Sequence, residues 1–138
     1  MKFCLIVGTR PQIIKTQPII HELISRKKSF SVIHTGQHYD YEMSRAFFTE
    51  LKISKPNYNL GISKGTNSSQ LADMLKKLEK TLTKIKPDVV IVPGDTRSAL
   101  AGALALGACP ACKTAFHCQY PLSSLTESMF TESPFCQV

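Results

Sequence analysis

Apolar positions along this 138-residue chain come in two kinds of run. Residues 3–7 (FCLIV) and the run inside DVVIVPGDT are short and continuous, and each closes on a glycine, which is the pattern of a strand buried on both faces. FSVIHTG reads as a further strand and YNLGI as a short one. Between them the spacing turns helical. Ile13, Ile14, Ile20, Leu23 and Ile24 recur at helical intervals over residues 11–27, and Met43, Ala46, Phe47 and Leu51 mark a second helical face. Leu71, Leu75, Leu78, Leu82 and Ile85 then trace a long amphipathic helix that Pro87 ends, capped near Asn67 or Ser68. RSALAGALALGA is a small-residue helix of the kind that packs closely on a sheet. Strands alternating with helices predict an α/β fold, a parallel sheet with helices on both faces.

At about Cys109 the pattern stops. Residues 109–138 hold four of the five cysteines and three of the eight prolines, and their charges are Lys113, Glu127 and Glu132. A doubly wound domain calls for another strand after its small-residue helix, and no strand or helix period stands out there. The chain is therefore divided into a partial Rossmann-like domain over residues 1–108 and a tail over 109–138.

The net charge of +7 points to an anionic partner. Its distribution narrows the choice: SRKKS and KKLEKTLTKIK interleave lysine with Glu22 and Glu79 on helix surfaces, with no stacking aromatics, so a nucleic-acid partner is not expected. No apolar run approaches the ~18 residues of a membrane span, and FCLIV is too short for a secretory h-region, so neither a membrane nor a leader is expected and a cytoplasmic location is.

In parallel sheets of this class the ligand lies beyond the carboxyl ends of the strands, where strand order reverses. The usual order makes the first strand and the strand ending at Val92 neighbours, so the turn Gly8-Thr9-Arg10, with Lys15 one helical turn on, faces Gly94-Asp95-Thr96. A helix N-terminus stabilises an anion, Gly8 allows close approach of a phosphate, and Arg10 offers a bidentate fork. Asp95 suits proton transfer or a sugar hydroxyl, and equally a helix cap. Arg10 and Asp95 can also pair with each other and staple the turns. Thr9 with Gln12 has capping-box spacing, although the cap can equally be Arg10, because Pro11 suits the first helical position. His38 lies on the same rim, as a ligand contact or a satisfied loop residue; His21 and His34 read as structural. Cys109, Cys112, His117, Cys118 and Cys136 lack the two close pairs of a structural zinc site, so free thiols are preferred and no metal is expected.

IVGTRPQIIKTQPII, TGQHYDYEMS, PNYNLGI and KPDVVIVPGDTRSALAGALA, in that order, resemble the non-hydrolysing UDP-N-acetylglucosamine 2-epimerase family over about residues 1–106. Even Pro18, odd inside a helix, fits the family pattern. The resemblance implies the amino-terminal domain of a GT-B-type isomerase that interconverts UDP-GlcNAc and UDP-ManNAc by eliminating UDP and re-adding it, without a cofactor. Carried over, Arg10 and Lys15 contact the diphosphate or sugar together with Gly8, Thr9, Gly94 and Thr96. Asp95 is an acid/base carboxylate, and Gln37 and His38 lie near a second, regulatory substrate site. The family has Glu where this chain has Gln12. After Leu106 its His-Val-Glu-Ala-Gly-Leu-Arg and Pro-Glu-Glu segments find no match, and Glu127 and Glu132 do not replace them. The expectation is a truncated or frame-shifted member, inactive alone, that binds a UDP-sugar. Its expected partner is a homodimer mate or a chain supplying the second domain; the alternative is a non-catalytic nucleotide-sugar or anion-binding module needing such a chain.

Overall fold

A computed structural model describes residues 1–36, 55–62 and 64–107, and the backbone of 114–118. The elements run β1 (Lys2–Val7), α1 (Arg10–Ser25), β2 (Ser29–His34), β3 (Tyr58–Asn59), α2 (Asn67–Ile85), β4 (Val89–Pro93), α3 (Arg97–Gly107) and β5 (Thr114–Cys118). The helix expected around Met43–Leu51, with Gln37 and His38, lies outside the described residues.

The strands form one sheet in the order β3-β2-β1-β4-β5, with every pairing parallel. From β1 the chain steps outward through β2 to β3, then returns to the other side of β1 and steps outward again. Strand order therefore reverses between β1 and β4.

Both faces of the sheet are covered, which is why the strands read as unbroken apolar runs rather than alternating ones. Phe3, Leu5, Val7, Val32, Val89 and Ile91 share one core with Ile13, Ile19, Ile20 and Leu23 of α1. Their neighbours along the strands, Cys4, Ile6, Ile33, Val90 and Val92, pack on the other side against α2 and α3. The small residues of α3 serve close approach: a Cβ at Gly102 would lie 3.0 Å from a Val92 methyl and 3.2 Å from Ile6 Cδ1.

Within α1, Pro18 supplies no N–H to the Ile14 carbonyl one turn back. Both residues are exposed, so water can take that acceptor. In α2 the buried residues differ from the expected stripe: Gln70, Met74, Leu78, Leu82 and Ile85 face inward, with Leu71 and Leu75 only partly buried. The cap, next to the expected Asn67, is Thr66, whose Oγ1 accepts from Ser69 N at 3.2 Å.

β5 corrects a second expectation, that no strand follows the small-residue helix. TAFHC pairs with β4 from Val89↔Thr114 to Pro93↔Cys118. Five residues that mix Thr and Phe with His and Cys show neither alternation nor a continuous apolar run. The open edge of β4 supplies the backbone partners instead, and tertiary context of that kind readily overrides strand propensity.

Candidate functional site

β1 and β4 lie side by side, Phe3 opposite Val89 and Leu5 opposite Ile91, so the turns that follow them meet at the point where strand order reverses. Each begins with a buried glycine, for a different reason. At Gly94 the backbone is left-handed (φ 86°), a conformation that disfavours any residue with a Cβ. At Gly8 the space is already taken: a Cβ there would lie 2.0 Å from Ser98 Oγ and 2.4 Å from Thr35 Oγ1, two hydroxyls that hydrogen-bond each other at 2.7 Å. The sequence suggests Gly8 as the place where a phosphate nears the backbone; in the structure its missing side chain makes room for the Thr35–Ser98 pair.

The residue joining the two turns is Gln12, 2% exposed. Its Oε1 accepts from Gly8 N (2.8 Å), Thr9 N (3.1 Å) and Thr9 Oγ1 (3.3 Å), which closes the start of α1 behind the cap residue Thr9. Its Nε2 reaches across the crevice to Pro93 O (2.6 Å) and Thr96 Oγ1 (2.9 Å). The capping-box spacing made the first half legible. The second half spans more than eighty residues, and no local pattern signals it. The two turns, for which the sequence allowed an Arg10–Asp95 staple, are joined by the uncharged Gln12 amide. The same bonds occupy the Gly8 and Thr9 N–H groups, so an anion at this helix start would be met chiefly by side chains.

Arg10 and Lys15 are exposed on the first wall, Asp95 on the second, with Thr96 half-buried beside it. Among the described residues nothing pairs with the Asp95 carboxylate, and the cap of α3 falls to Thr96, whose Oγ1 accepts from Ala99 N at 3.4 Å. The structure therefore sets Gly8-Thr9-Arg10 and Gly94-Asp95-Thr96 side by side at the ends of β1 and β4, with Lys15 further along α1. Arg97 was not singled out from sequence. It donates to Asn67 Oδ1 (2.7 Å) and Gln70 Oε1 (2.6 Å), tying the α3 start to the α2 start. His34 is buried at the end of β2, whereas His21 is exposed on α1. Among the described residues there is no group of three or more His, Cys, Asp or Glu suited to a metal; Cys109, Cys112 and Cys136, like the side chains of His117 and Cys118, fall outside them. No helix among the described residues is long and apolar enough to cross a membrane.

A family model described as UDP-N-acetylglucosamine 2-epimerase matches residues 21–111. The chain belongs to this 2-epimerase family. A Methanococcus maripaludis UDP-N-acetylglucosamine 2-epimerase homolog is 55% identical over 105 residues, which is 76% of this chain and 29% of that protein. The Pseudomonas aeruginosa UDP-2,3-diacetamido-2,3-dideoxy-D-glucuronate 2-epimerase is 45% identical over 106 residues, 76% of this chain and 30% of that protein. Among solved structures, the Methanocaldococcus jannaschii UDP-GlcNAc 2-epimerase in complex with UDP-GlcNAc and UDP superposes with a TM-score of 0.80 at 44% identity, covering 93% of this chain and 35% of that one. The chain thus spans less than a third of the length of these curated 2-epimerases. Its sheet is the Rossmann-like amino-terminal part of their GT-B-type fold, as the sequence led us to expect.

Proposed function

We propose that this chain forms one wall of a nucleotide-sugar crevice and binds the diphosphate of a UDP-sugar, in the manner of the 2-epimerases it resembles. The observation that carries this reading is the meeting of two unlike turns where strand order reverses. Arg10 and Lys15 supply positive charge on one side, and Asp95 supplies a solvent-facing carboxylate on the other. Departure of UDP requires its growing charge to be held while a carboxylate handles the weakly acidic C2 proton; in this reading Arg10 and Lys15 take the first role and Asp95 the second. The sugar is an N-acetylated hexose, with UDP-GlcNAc first among the candidates.

Turnover needs a second wall. One exposed carboxylate in open water cannot exclude solvent or hold both proton positions, so residues 1–138 by themselves bind without epimerising. Calorimetric titration with UDP and UDP-GlcNAc, alongside an assay for UDP-ManNAc, tests both statements: binding without product supports them, product overturns the second, and no binding overturns the first. We also propose that residues 109–138 depart from the family sequence although they contribute β5. Translating the encoding DNA beyond Leu106 in the other two frames tests a frameshift origin, and absence of a His-Val-Glu-Ala-Gly pattern there would count against it.

A further inference from the structure

Successive residues at the start of α3 are tied to different parts of the fold. Thr96 Oγ1 accepts from Gln12 of α1, Arg97 donates to Asn67 and Gln70 of α2, and Ser98 Oγ shares a hydrogen bond of 2.7 Å with Oγ1 of Thr35, the residue after β2. These ties differ in their exposure to water. The Thr96 and Arg97 bonds lie partly or wholly at the surface, whereas Thr35 and Ser98 are each 0% exposed. Water cannot stand in for either hydroxyl, so the Thr35–Ser98 bond holds whatever occupies the crevice.

The pair also fixes a distance. Its two oxygens fill the place of the side chain that Gly8 lacks, a Cβ there lying 2.0 Å from Ser98 Oγ and 2.4 Å from Thr35 Oγ1. Gly8 of the first turn therefore rests on the same hydroxyls that hold the helix of the second. The link from β4 into that helix runs through Gly94, in left-handed backbone, and glycine is the residue least able to hold a conformation by itself. The constraint has to come from elsewhere, and the buried hydroxyl bond supplies one.

We infer that Ser98 is a positioning residue: its buried bond to Thr35 holds the start of α3, and with it Gly94-Asp95-Thr96, at a fixed spacing from Gly8-Thr9-Arg10. A ligand then meets two turns already in place, and affinity is not spent on ordering one of them. This rests on the diphosphate-binding reading above and adds that the spacing of the turns is set from the β2 side of the sheet.

The test separates the bond from the burial. Ser98→Ala and Thr35→Val each leave the other hydroxyl buried without this bond and should lower the midpoint of urea unfolding. In the double variant neither hydroxyl remains, so the midpoint should return most of the way to wild type, since replacing both partners by apolar groups of similar shape is nearly neutral. The spacing is still lost. UDP affinity of the double variant, measured by calorimetry, should fall by about 5-fold. Amide exchange at Ala99 and Leu100, whose N–H groups bond Thr96, should quicken by about 5-fold relative to exchange in β1. Thr35→Ser keeps the hydroxyl and should stay within about 2-fold of wild type in both measurements. Wild-type affinity or wild-type exchange in the double variant overturns the inference, as does an equal loss in Thr35→Ser. Should the double variant not fold, Ser98→Ala carries the test: faster exchange at Ala99 and Leu100 with β1 unchanged supports the inference, and a uniform rise overturns it. If the wild type binds no UDP, the diphosphate-binding reading fails by itself, and Ser98 is judged from exchange at Ala99 and Leu100 alone.

Discussion

The two turns of the crevice look alike in sequence and are built differently. Gly8-Thr9-Arg10 and Gly94-Asp95-Thr96 each run from a buried strand through a glycine into a helix. In the first, glycine answers to packing from outside, since the Thr35 and Ser98 hydroxyls occupy the space of its missing side chain. In the second, glycine answers to its own backbone, while a Cβ there would meet Gln12 at an ordinary 3.6 Å. The first turn carries its charge on Arg10 and has its N–H groups closed by Gln12. The second carries the opposite charge on Asp95. A shared strand-glycine-helix pattern thus does not imply a shared reason for the glycine, and the reason determines what a substitution does.

The largest expected effect follows from that difference. Gly8→Ala should cost about 3 kcal/mol or more in urea-induced unfolding, because its Cβ would overlap two buried, hydrogen-bonded hydroxyls that cannot both move aside. Gly94→Ala should cost less, about 1–2 kcal/mol, from left-handed backbone strain alone. Equal costs would mean that the glycines are not distinguished as described. Arg10→Ala should weaken UDP binding in calorimetric titration by about 10-fold or more, the scale of a lost charge-assisted hydrogen bond. The smallest effect belongs to Asp95→Asn. Its exposed carboxylate lacks a partner among the described residues, so stability should shift by no more than about 0.5 kcal/mol and UDP affinity should hold or rise slightly. A large loss of stability in Asp95→Asn would show that the second turn depends on its charge.

Much of the fold was legible because its signals are local. Continuous apolar runs closed by glycine placed β1 and β4, and the leucine stripe placed α2. Strand–helix alternation gave a parallel sheet covered on both faces. The misses share a cause, which is partnership across long stretches of chain. β5 is a strand by virtue of the β4 edge and not of its own pattern. The buried seam of α2 is centred on Met74 rather than on the Leu71–Leu75 edge of the stripe, because α3 and the sheet determine which side faces inward. In the candidate site, the meeting of the turns after β1 and β4 followed from strand order. The work of Gln12 did not: its spacing from Thr9 announced a helix start, and nothing nearby in the sequence announces Pro93 or Thr96. Arg97 was missed for the same reason, its partners Asn67 and Gln70 lying on a different helix.

The Gln12 amide also bears on the order in which the molecule can assemble. β1, α1 and β2 can gather through short loops, but the bond from Gln12 to Pro93 closes across 81 residues, and the entropy of closing so long a loop must be met before the contact returns anything. A nascent chain that has reached the end of α2 has its arginine-bearing turn in place but nothing yet for Gln12 Nε2 to hold. The crevice becomes a single object only when β4 docks beside β1, so it should be among the late-forming parts of the domain.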